Sequence, residues 1–294
     1  MNVAWIGTGV MGASMAGHLQ RAGHALTVYS RTKAKSEALL AAGAAWRGSP
    51  RAAAEGADAV CTMVGYPADV REVILGRRGA LAAMTRGALL IDFTTSRPDL
   101  AAEIASRAAA RGVDALDAPV SGGDVGAREG RLSIMVGGEP AAYEWALPLL
   151  QAFGKTIVLQ GPPGAGQHTK MVNQILIAST MMGVVEAVRY AAASGLDAER
   201  VLQSVGGGAA ASWSLQNLAP RMLKRNFDPG FYAKHLLKDL DIAIREARRM
   251  KLDLPALRLA QRRYRALVNG GWGDRGTHAL LLLYEAMAAR NGAT

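Results

Sequence analysis

The sequence predicts an α/β protein with a doubly wound N-terminal domain followed by an all-α C-terminal domain. In the first half, short apolar runs alternate with helix-like segments, a pattern typical of a parallel sheet with helices on both faces. In the second half, no segment shows the two-residue alternation of a strand. Glycine and proline crowd the turn at residues 161–166 between the halves. We therefore predict a sheet domain at residues 1–162 and a helical domain at residues 163–294.

The composition excludes several kinds of site and location. The chain has 294 residues, which suits two domains at about 100–200 residues each. Its single cysteine, Cys61, allows neither a disulfide framework nor a cysteine-based metal site, and its five histidines form no HxxxH or HxH pair, so we expect no metal. Apolar runs are broken before they reach the length of a membrane span, about 20 residues, and no leader precedes the first strand. We expect a cytoplasmic protein without a membrane partner.

The net charge of +10 is compatible with an anionic partner. Much of it falls between Arg221 and Arg265, spread along helical segments, which is typical of a solvated face. No zinc-finger spacing or glycine–aromatic string accompanies these residues. We therefore expect no nucleic-acid partner and favour attraction to an anionic metabolite.

A glycine-rich string follows the first apolar run, residues 2–6, and opens a helical segment. The string matches G-x-G-x-x-G between a strand and a helix. The first glycine permits a tight turn, the second lets the backbone approach a pyrophosphate, and the third lets the helix pack on the strand. The sequence thus predicts a Rossmann-type dinucleotide site at Gly7, Thr8, Gly9, Val10, Met11 and Gly12.

The end of the second predicted strand indicates which dinucleotide binds. A site for NAD normally places a carboxylate here, on the ribose 2′-hydroxyl. This chain instead has Ser30, Arg31 and Thr32, with two lysines close behind. A guanidinium can hold a 2′-phosphate through a forked pair of hydrogen bonds, whereas a carboxylate would repel it. We therefore predict NADP, with these three residues at its adenosine ribose.

Three further predicted strands end in glycine or hydroxyl residues, at the edge where open α/β sheets bind ligands. Strand 59–64 ends in Met63 and Val64, and Gly65 follows; we assign these three to the cofactor. Strand 88–93 is followed by a hydroxyl cluster at residues 94–96. After strand 115–118 the chain reads Ser121, Gly122 and Gly123, where backbone N–H groups beside a hydroxyl can hold a carboxylate without a cation.

The segment after the boundary predicts a long helix that is apolar on nearly every face, which is typical of a buried helix. Lys170, Asn173 and Gln174 lie near its start at positions i, i+3 and i+4, and therefore on one face. The residues alone leave open a functional cluster or a snorkelling lysine beside two satisfied amides. Because one chain's short helices are too few to cover this apolar surface, we expect a homodimer or homotetramer.

Together these motifs resemble the β-hydroxyacid dehydrogenase family, which includes 3-hydroxyisobutyrate dehydrogenase and tartronate semialdehyde reductase. The resemblance covers the whole chain and rests on four ordered motifs. The family's cofactor motif is matched by Gly7–Gly12 with Met15-Ala16, and its substrate motif by Asp117–Gly123 with Gly126-Ala127, Gly130 and Met135–Gly138. Its catalytic motif is matched by Gly164-Ala-Gly166 with Lys170 and Asn173. Its late cofactor motif is matched by Lys238-Asp239-Leu240.

The resemblance implies a hydride transfer between NADP(H) and a small 3-hydroxy acid or semialdehyde. Lys170 would be the general acid/base, and Asn173 would orient it. Burial would lower the pKa of such a lysine toward neutrality. The resemblance also implies that Thr95 contacts both cofactor and substrate and that Lys238 contacts the nicotinamide half of the cofactor. Ser121, Gly122 and Gly123 would bind the substrate carboxylate. Gln174, Phe231 and Asp239 would line the substrate site.

One departure and two alternatives limit this interpretation. Gly276-Thr277-His278-Ala279 stands where the family often has Asp-x-Ser-Ala, so the tail yields no substrate detail. An imine reductase on the same scaffold is one alternative, although such enzymes usually carry Asp or Tyr where Lys170 stands. The other is a non-catalytic NADP-binding or nucleic-acid-binding protein, which would not need the pair Lys170 and Asn173. The sequence does not fix the acid, its stereochemistry or the direction of the reaction.

Overall fold

The strands of the chain form one twisted sheet with a parallel core. The computed structural model describes residues 1–291, and nine strands lie within them. In chain order they are β1 (Asn2–Ile6), β2 (Ala25–Tyr29), β3 (Ala45–Trp46), β4 (Ala59–Thr62), β5 (Leu89–Asp92), β6 (Asp114–Asp117), β7 (Val120–Ser121), β8 (Leu132–Gly137) and β9 (Gly154–Gly161). The first six are parallel in the order β3-β2-β1-β4-β5-β6, the order of a dinucleotide-binding domain. The predicted doubly wound domain is confirmed.

Helices cover both faces of this sheet. They are α1 (Val10–Arg21), α2 (Glu37–Ala41), α3 (Pro50–Ala54), α4 (Pro67–Leu75), α5 (Pro98–Ala109), α6 (Gly123–Arg128) and α7 (Pro140–Gln151). Successive strand side chains point to opposite faces, so Val3 and Trp5 enter one core cluster while Ala4 and Ile6 enter the other. Trp5 stacks on Phe93 with ring centroids 5.6 Å apart. Both faces of β1 are therefore buried, which explains why its residues from Val3 to Ile6 are all apolar.

The sheet extends past β6 with a change of direction that the sequence analysis did not predict. Strands β6 and β7 both pair antiparallel with β8, and β9 pairs parallel with β8. The segment around Ser121, expected as a loop, contains the two-residue strand β7 and then the short helix α6. Elements of two and six residues are too short to show a period, so the pattern could not reveal them. The predicted helix over 33–42 is instead a 3₁₀ segment, Lys33–Ser36, followed by α2.

The second half is helical, as predicted. Its elements are α8 (Ala165–Ala193), α9 (Ala198–Gly206), α10 (Trp213–Asn217), α11 (Ala219–Leu223), α12 (Ala233–Arg249), α13 (Pro255–Leu267), a π-type turn (Val268–Trp272), a 3₁₀ segment (Thr277–Ala279) and α14 (Leu280–Asn291). Between residues 171 and 291 the only strand-like feature is one isolated bridge, Tyr232 with Gly276. Met181, Leu236 and Tyr264 belong to a core cluster formed by these helices.

Two compact units divide the chain at Met1–Lys170 and Met171–Thr294. The division falls within α8, so the first unit includes the opening turns of that helix. The predicted boundary between residues 162 and 163 lies a few residues earlier, in the turn that precedes α8. It stays a prediction, and the last residues of the predicted second domain, 292–294, lie outside the described residues.

Helix α8 is buried on one face only. Met171, Met181 and Val185 are buried, whereas Leu176 is 63% exposed and Tyr190 is 75% exposed. Contrary to the expectation that every apolar run falls short of a membrane span, α8 alone among the described helices is long and apolar enough to cross a membrane. Of its most apolar window, 44% is buried within the protein. Core helices of proteins that span no membrane meet the same two criteria. The apolar sequence of α8 predicts a helix that is buried on nearly every face. In a single copy of the chain, this prediction is wrong, because one face is exposed.

Candidate active site

The glycine turn between β1 and α1 has the shape of a pyrophosphate site. Gly7 has φ +99°, and a Cβ there would lie 2.2 Å from the Met63 carbonyl oxygen. A Cβ on Gly12 would lie 2.0 Å from the carbonyl oxygen of Gly7, so the turn closes only with glycines at both positions. A Cβ on Gly9 would meet nothing within 4 Å, and no described side chain caps the helix there. The first N–H groups of α1 therefore remain available to an anion, which fits a dinucleotide.

The segment after β2 places Arg31 at the protein surface. Its guanidinium is 76% exposed and lies 3.0 Å from the Asp69 carboxylate, which also accepts a hydrogen bond from the Tyr66 N–H at the start of α4. Thr8 in the glycine turn shares a buried hydrogen bond of 2.9 Å with Ser36, in the 3₁₀ segment after Arg31. An exposed ion pair contributes at most about 1 kcal/mol, so Arg31 can exchange Asp69 for another anion at little cost.

The ends of β4 and β5 are joined by a buried network centred on Asp92. Its carboxylate accepts hydrogen bonds from the Thr62 hydroxyl at 2.6 Å and from the Thr94 N–H at 3.1 Å. The Thr94 hydroxyl in turn accepts from the Val64 N–H at 2.9 Å. Burial, reinforced by the neighbouring Asp117, raises the pKa of Asp92 to about 6. Val64, which the sequence assigns to the cofactor, is thus held by Thr94, and Thr94 is held by Asp92. The sequence analysis did not identify Asp92.

We expect Asp92→Asn to flatten the pH dependence of stability. Because the folded pKa of about 6 lies above the ordinary 3.8, the folded protein binds more protons than the unfolded chain in that window. The free energy of unfolding of the wild type therefore falls as pH rises from about 4 to 6. The fall should approach about 3 kcal/mol, at about 1.4 kcal/mol per unit of pKa. Asparagine keeps the acceptor oxygen without the charge. Urea unfolding at pH 4, 6 and 8 measures the effect, and equal slopes for both proteins would contradict it.

The predicted carboxylate loop lies at the end of β7. Ser121 is partly buried and pairs across the sheet with Ser133 of β8. Gly122 and Gly123 follow with φ of +130° and +65°, and α6 begins there without a cap from any described side chain. At the far end of α6, the His18 Nε2 lies 2.9 Å from the carbonyl oxygen of Ala127. Helix α1, which starts at the glycine turn, therefore supports the helix that follows the carboxylate loop.

Lys170 reaches this loop from α8. The side chain is buried, and its Nζ donates a hydrogen bond of 2.8 Å to the carbonyl oxygen of Val120. Val120 is the residue before Ser121, so the ammonium lies at the edge of the predicted carboxylate site, 50 residues away in the chain. A snorkelling lysine would instead carry its charge into water. The geometry favours the functional interpretation of Lys170.

The first turn of α8 is fixed on the ends of the strands by Asp117, a second buried carboxylate. Its two oxygens accept hydrogen bonds of 2.7 Å from the N–H groups of Gly164 and Gln167. Burial raises the pKa of Asp117, while these two hydrogen bonds oppose the rise. A Cβ on Gly166 would lie 2.4 Å from the Met135 carbonyl oxygen, so only glycine allows this close packing. The Gly-x-Gly of the catalytic motif is thus explained by the approach of α8 to the sheet.

In the second unit, four of the predicted site residues are linked in series by two hydrogen bonds and one ion pair. The Asn173 amide donates to the Gln174 side-chain oxygen at 2.7 Å, and the Gln174 amide donates to the Asp239 carboxylate at 2.5 Å. The Lys238 ammonium lies 3.0 Å from the other oxygen of Asp239. Gln174 and Asp239 are almost fully buried, and Phe231 packs against the core of this unit. That Gln174, Phe231 and Asp239 contact a substrate stays a prediction.

The atypical tail motif is buried in the second unit. His278 bonds through Nε2 to the carbonyl oxygen of Asn226 at 2.8 Å and stacks on Phe227. Burial lowers the pKa of this imidazole. A Cβ on Gly276 would lie 2.4 Å from the His278 ring, so the two residues fit each other. Among the described residues, no group of three His, Cys, Asp or Glu side chains is arranged to hold a metal.

The sheet order and the glycine turn define a domain that binds a dinucleotide. Residues 2–161 match the family model described as the NAD-binding domain of 6-phosphogluconate dehydrogenase. Residues 164–284 match the model described as the NAD-binding domain of NADP-dependent 3-hydroxyisobutyrate dehydrogenase.

Individual proteins show the same relationship. The chain is 49% identical over 286 residues to a probable 3-hydroxyisobutyrate dehydrogenase-like protein of Arabidopsis thaliana, covering 97% of this chain and 85% of that one. It is 38% identical over 288 residues to the 2-hydroxy-3-oxopropionate reductase of Escherichia coli, covering 98% of both. The crystal structure of 3-hydroxyisobutyrate dehydrogenase from Salmonella typhimurium superposes with a TM-score of 0.88 at 28% identity, covering 96% of this chain and 99% of that one. The chain therefore belongs to the β-hydroxyacid dehydrogenase family.

Proposed function

We propose that the protein transfers a hydride between NADP(H) and a small 3-hydroxy acid or the corresponding semialdehyde, with Lys170 as the general acid/base. The observation that carries the proposal is the bond of 2.8 Å from the Lys170 ammonium to Val120, directly before Ser121. This contact supports the proposal, because it brings the Lys170 amine next to a loop whose serine and glycines suit a carboxylate. A hydroxy acid and its semialdehyde each combine a carboxylate with an oxygen that must gain or lose a proton.

The cofactor is proposed as NADP on two grounds. The glycine turn offers uncapped N–H groups to a pyrophosphate, and Gly9 leaves open space above them. Arg31 follows β2, where a ribose-binding carboxylate is expected for NAD, and its present partner Asp69 holds it only through an exposed ion pair. When bound, the cofactor supplies or accepts the hydride. Ser30, Thr32 and Thr95 are proposed to contact it in the first unit, and Lys238 in the second.

Lys170 then moves the proton. In the reductive direction, negative charge develops on the carbonyl oxygen, and a positioned donor lowers the barrier. In the oxidative direction the same amine takes the hydroxyl proton. An ammonium has three donor hydrogens, so its bond to Val120 is compatible with a second bond to a substrate oxygen. Asn173, one turn further along α8, is proposed to orient the amine.

Ser121→Ala is expected to weaken substrate binding more than cofactor binding. The Ser121 hydroxyl stands beside two glycines at the end of β7, where a neutral loop has to hold an anion. Hydrogen bonds to charged groups contribute about 1.5–3 kcal/mol, so the KM for a semialdehyde should rise by roughly tenfold or more. Ser194→Ala is the control, because it removes a hydroxyl that donates to the Ala191 carbonyl oxygen at the end of α8. An unchanged KM for every carboxylate-bearing substrate would remove Ser121 from the site.

The proposed activity is tested by two matched screens on the purified protein. NADPH oxidation is followed with small semialdehydes, and NADP⁺ reduction with 3-hydroxy acids. Turnover of at least one pair, faster with NADP(H) than with NAD(H), is the expected result. Turnover of a cyclic imine alone would indicate an imine reductase, and binding of NADPH without any turnover would indicate a non-catalytic protein. Either outcome would overturn the proposal.

We also propose that the protein is a cytoplasmic homodimer or homotetramer without nucleic-acid or membrane partners. Among the described residues of the second unit, seven large apolar side chains are more than half exposed: Val172, Leu176, Tyr190, Leu196, Trp213, Met250 and Leu252. Clusters of exposed apolar residues commonly mark protein interfaces. Light scattering that shows only monomer at micromolar concentration would contradict the oligomer, and cell fractionation tests the location.

A further inference from the structure

Gln167 makes an unusual set of contacts for a residue without an assigned role. It lies in the first turn of α8, three residues before Lys170, and is fully buried. Its side-chain oxygen accepts a hydrogen bond of 2.8 Å from the Ser96 N–H, and its side-chain nitrogen donates one of 2.8 Å to the Thr94 carbonyl oxygen. These two backbone groups flank Thr95. One amide therefore holds the loop after β5 on both sides of Thr95.

The burial pattern of the loop agrees with this contact. Thr94 and Ser96 are 1% and 2% exposed, while Thr95 between them is only partly buried. The two hydrogen bonds to Gln167 thus hold the buried neighbours in place on both sides of Thr95, which keeps some exposure. Thr95 is the residue for which the family resemblance implies contact with both cofactor and substrate.

The backbone of Gln167 is fixed as firmly as its side chain. Its N–H donates to the Asp117 carboxylate at the end of β6. Gln167 and Lys170 are separated by three positions and share one face of α8. From that face, one side chain reaches the loop after β5 and the other reaches Val120 before the carboxylate loop. A shift of the loop after β5 against α8 would therefore change the distance between Thr95 and the lysine.

We propose that Gln167 is a positioning residue, which sets Thr95 and Lys170 at the spacing that proton transfer requires. This inference rests on the function proposed above. The residue need not touch substrate or cofactor, because it acts through the loop and through the helix. Misplacement of reacting groups by about 1 Å can lower the rate roughly 100-fold. Two buried hydrogen bonds from one side chain can prevent such a misplacement.

Gln167→Met provides the first test. Methionine has nearly the same length and shape but offers no amide, so the Thr94 carbonyl and the Ser96 N–H lose their partner. We expect kcat for semialdehyde reduction to fall by about 10–100-fold, on the scale of such misplacements. The dissociation constant of NADPH should change much less than kcat, since the glycine turn and Arg31 keep their positions and Thr95 is only one of the proposed cofactor contacts. The kinetic isotope effect with NADPH deuterated at the transferred position should rise, because chemistry becomes slower than the other steps.

Gln167→Glu tests the same contact by pH. An ionised carboxylate still accepts from the Ser96 N–H but repels the Thr94 carbonyl oxygen. A protonated carboxyl can donate to that oxygen and restore both bonds. Burial raises the pKa of a glutamate above its usual value of about 4.3. The ratio of the variant's kcat to the wild-type kcat should therefore increase as pH falls from 8 to 5.5.

Gln20→Met is the matched control. Gln20 lies on α1, and its amide also donates to two backbone carbonyl groups, those of Leu39 and Ala42. Its loss should lower stability while leaving kcat and the isotope effect unchanged. The inference would be overturned if Gln167→Met had the kcat and the kinetic isotope effect of the wild type. If that variant does not fold, a pH-independent ratio for Gln167→Glu would overturn it as well. A wild type that reduces no semialdehyde would instead overturn the proposed function.

Discussion

Lys170→Ala is expected to lower kcat for semialdehyde reduction by about 10²–10⁴-fold, the range that general acid–base groups contribute. The variant loses the buried side chain that bonds to Val120 at 2.8 Å, and with it the proposed proton donor. The dissociation constant of NADPH should stay near that of the wild type, because Lys170 lies on α8 rather than at the glycine turn. Rate and cofactor affinity are measured on protein shown to be folded.

Two further variants separate acid–base chemistry from charge alone. Lys170→Arg should not restore the rate, since a guanidinium keeps its proton at any working pH. Asn173→Ala should cause a partial loss, because it removes one end of the hydrogen-bonded chain that leads through Gln174 to Asp239. Lys155→Ala, at an exposed position on β9, is the control for loss of a lysine. A Lys170→Ala protein that folds, binds NADPH and works within about tenfold of wild type would remove this lysine from the mechanism.

Arg31→Asp is expected to reverse the cofactor preference. The substitution would remove the proposed forked contact to the 2′-phosphate, worth about 1.5–3 kcal/mol, and would put a carboxylate in its place. The KM for NADPH should rise by roughly tenfold to 100-fold on that scale, while the KM for NADH is spared or improved. Asp69, now 3.0 Å from the guanidinium, would remain near the site as a second negative charge and add to the repulsion.

A charge change alone does not account for such a reversal. Arg107 is also an exposed arginine of the first unit in an ion pair, with Glu103. Arg107→Asp alters the net charge equally, and its effect on NADPH should be small and should vanish at high salt. The NADP assignment would be abandoned if the wild type used NADPH and NADH with equal kcat/KM.

The sequence predicts those parts of the fold in which a strand or helix is long enough to repeat its hydrophobic period. The run from β1 through the glycine turn into α1 combines an apolar strand, glycines at set positions and a helical period, and each level indicates the same structure. Strand β7 and helix α6 were not predicted because segments of two and six residues are too short to repeat the strand or helix period. The one-sided burial of α8 also escaped, since an apolar composition does not say which face is covered.

The same limit applies to the site. Lys170 could be selected from its amide neighbours on one helical face, and Ser121 from the glycines after it. The contacts of Asp117 and Gln167 join residues 47 to 73 positions apart, which no local pattern reports. Asp92 was missed for a similar reason: it reads as the last residue of an apolar strand, and only its bonds to Thr62 and Thr94 show a buried carboxylate.

The two compact units meet within α8, and this affects the design of truncated proteins. A fragment that stops at the glycine–proline turn would encode the whole sheet yet leave the Asp117 carboxylate and the backbone groups around Thr95 without the partners that Gly164 and Gln167 supply. Extending the fragment to Lys170 adds those partners, together with the bond to Val120. On the ribosome, likewise, the cofactor-binding half cannot finish its own hydrogen bonding until the opening turns of α8 have left the exit tunnel.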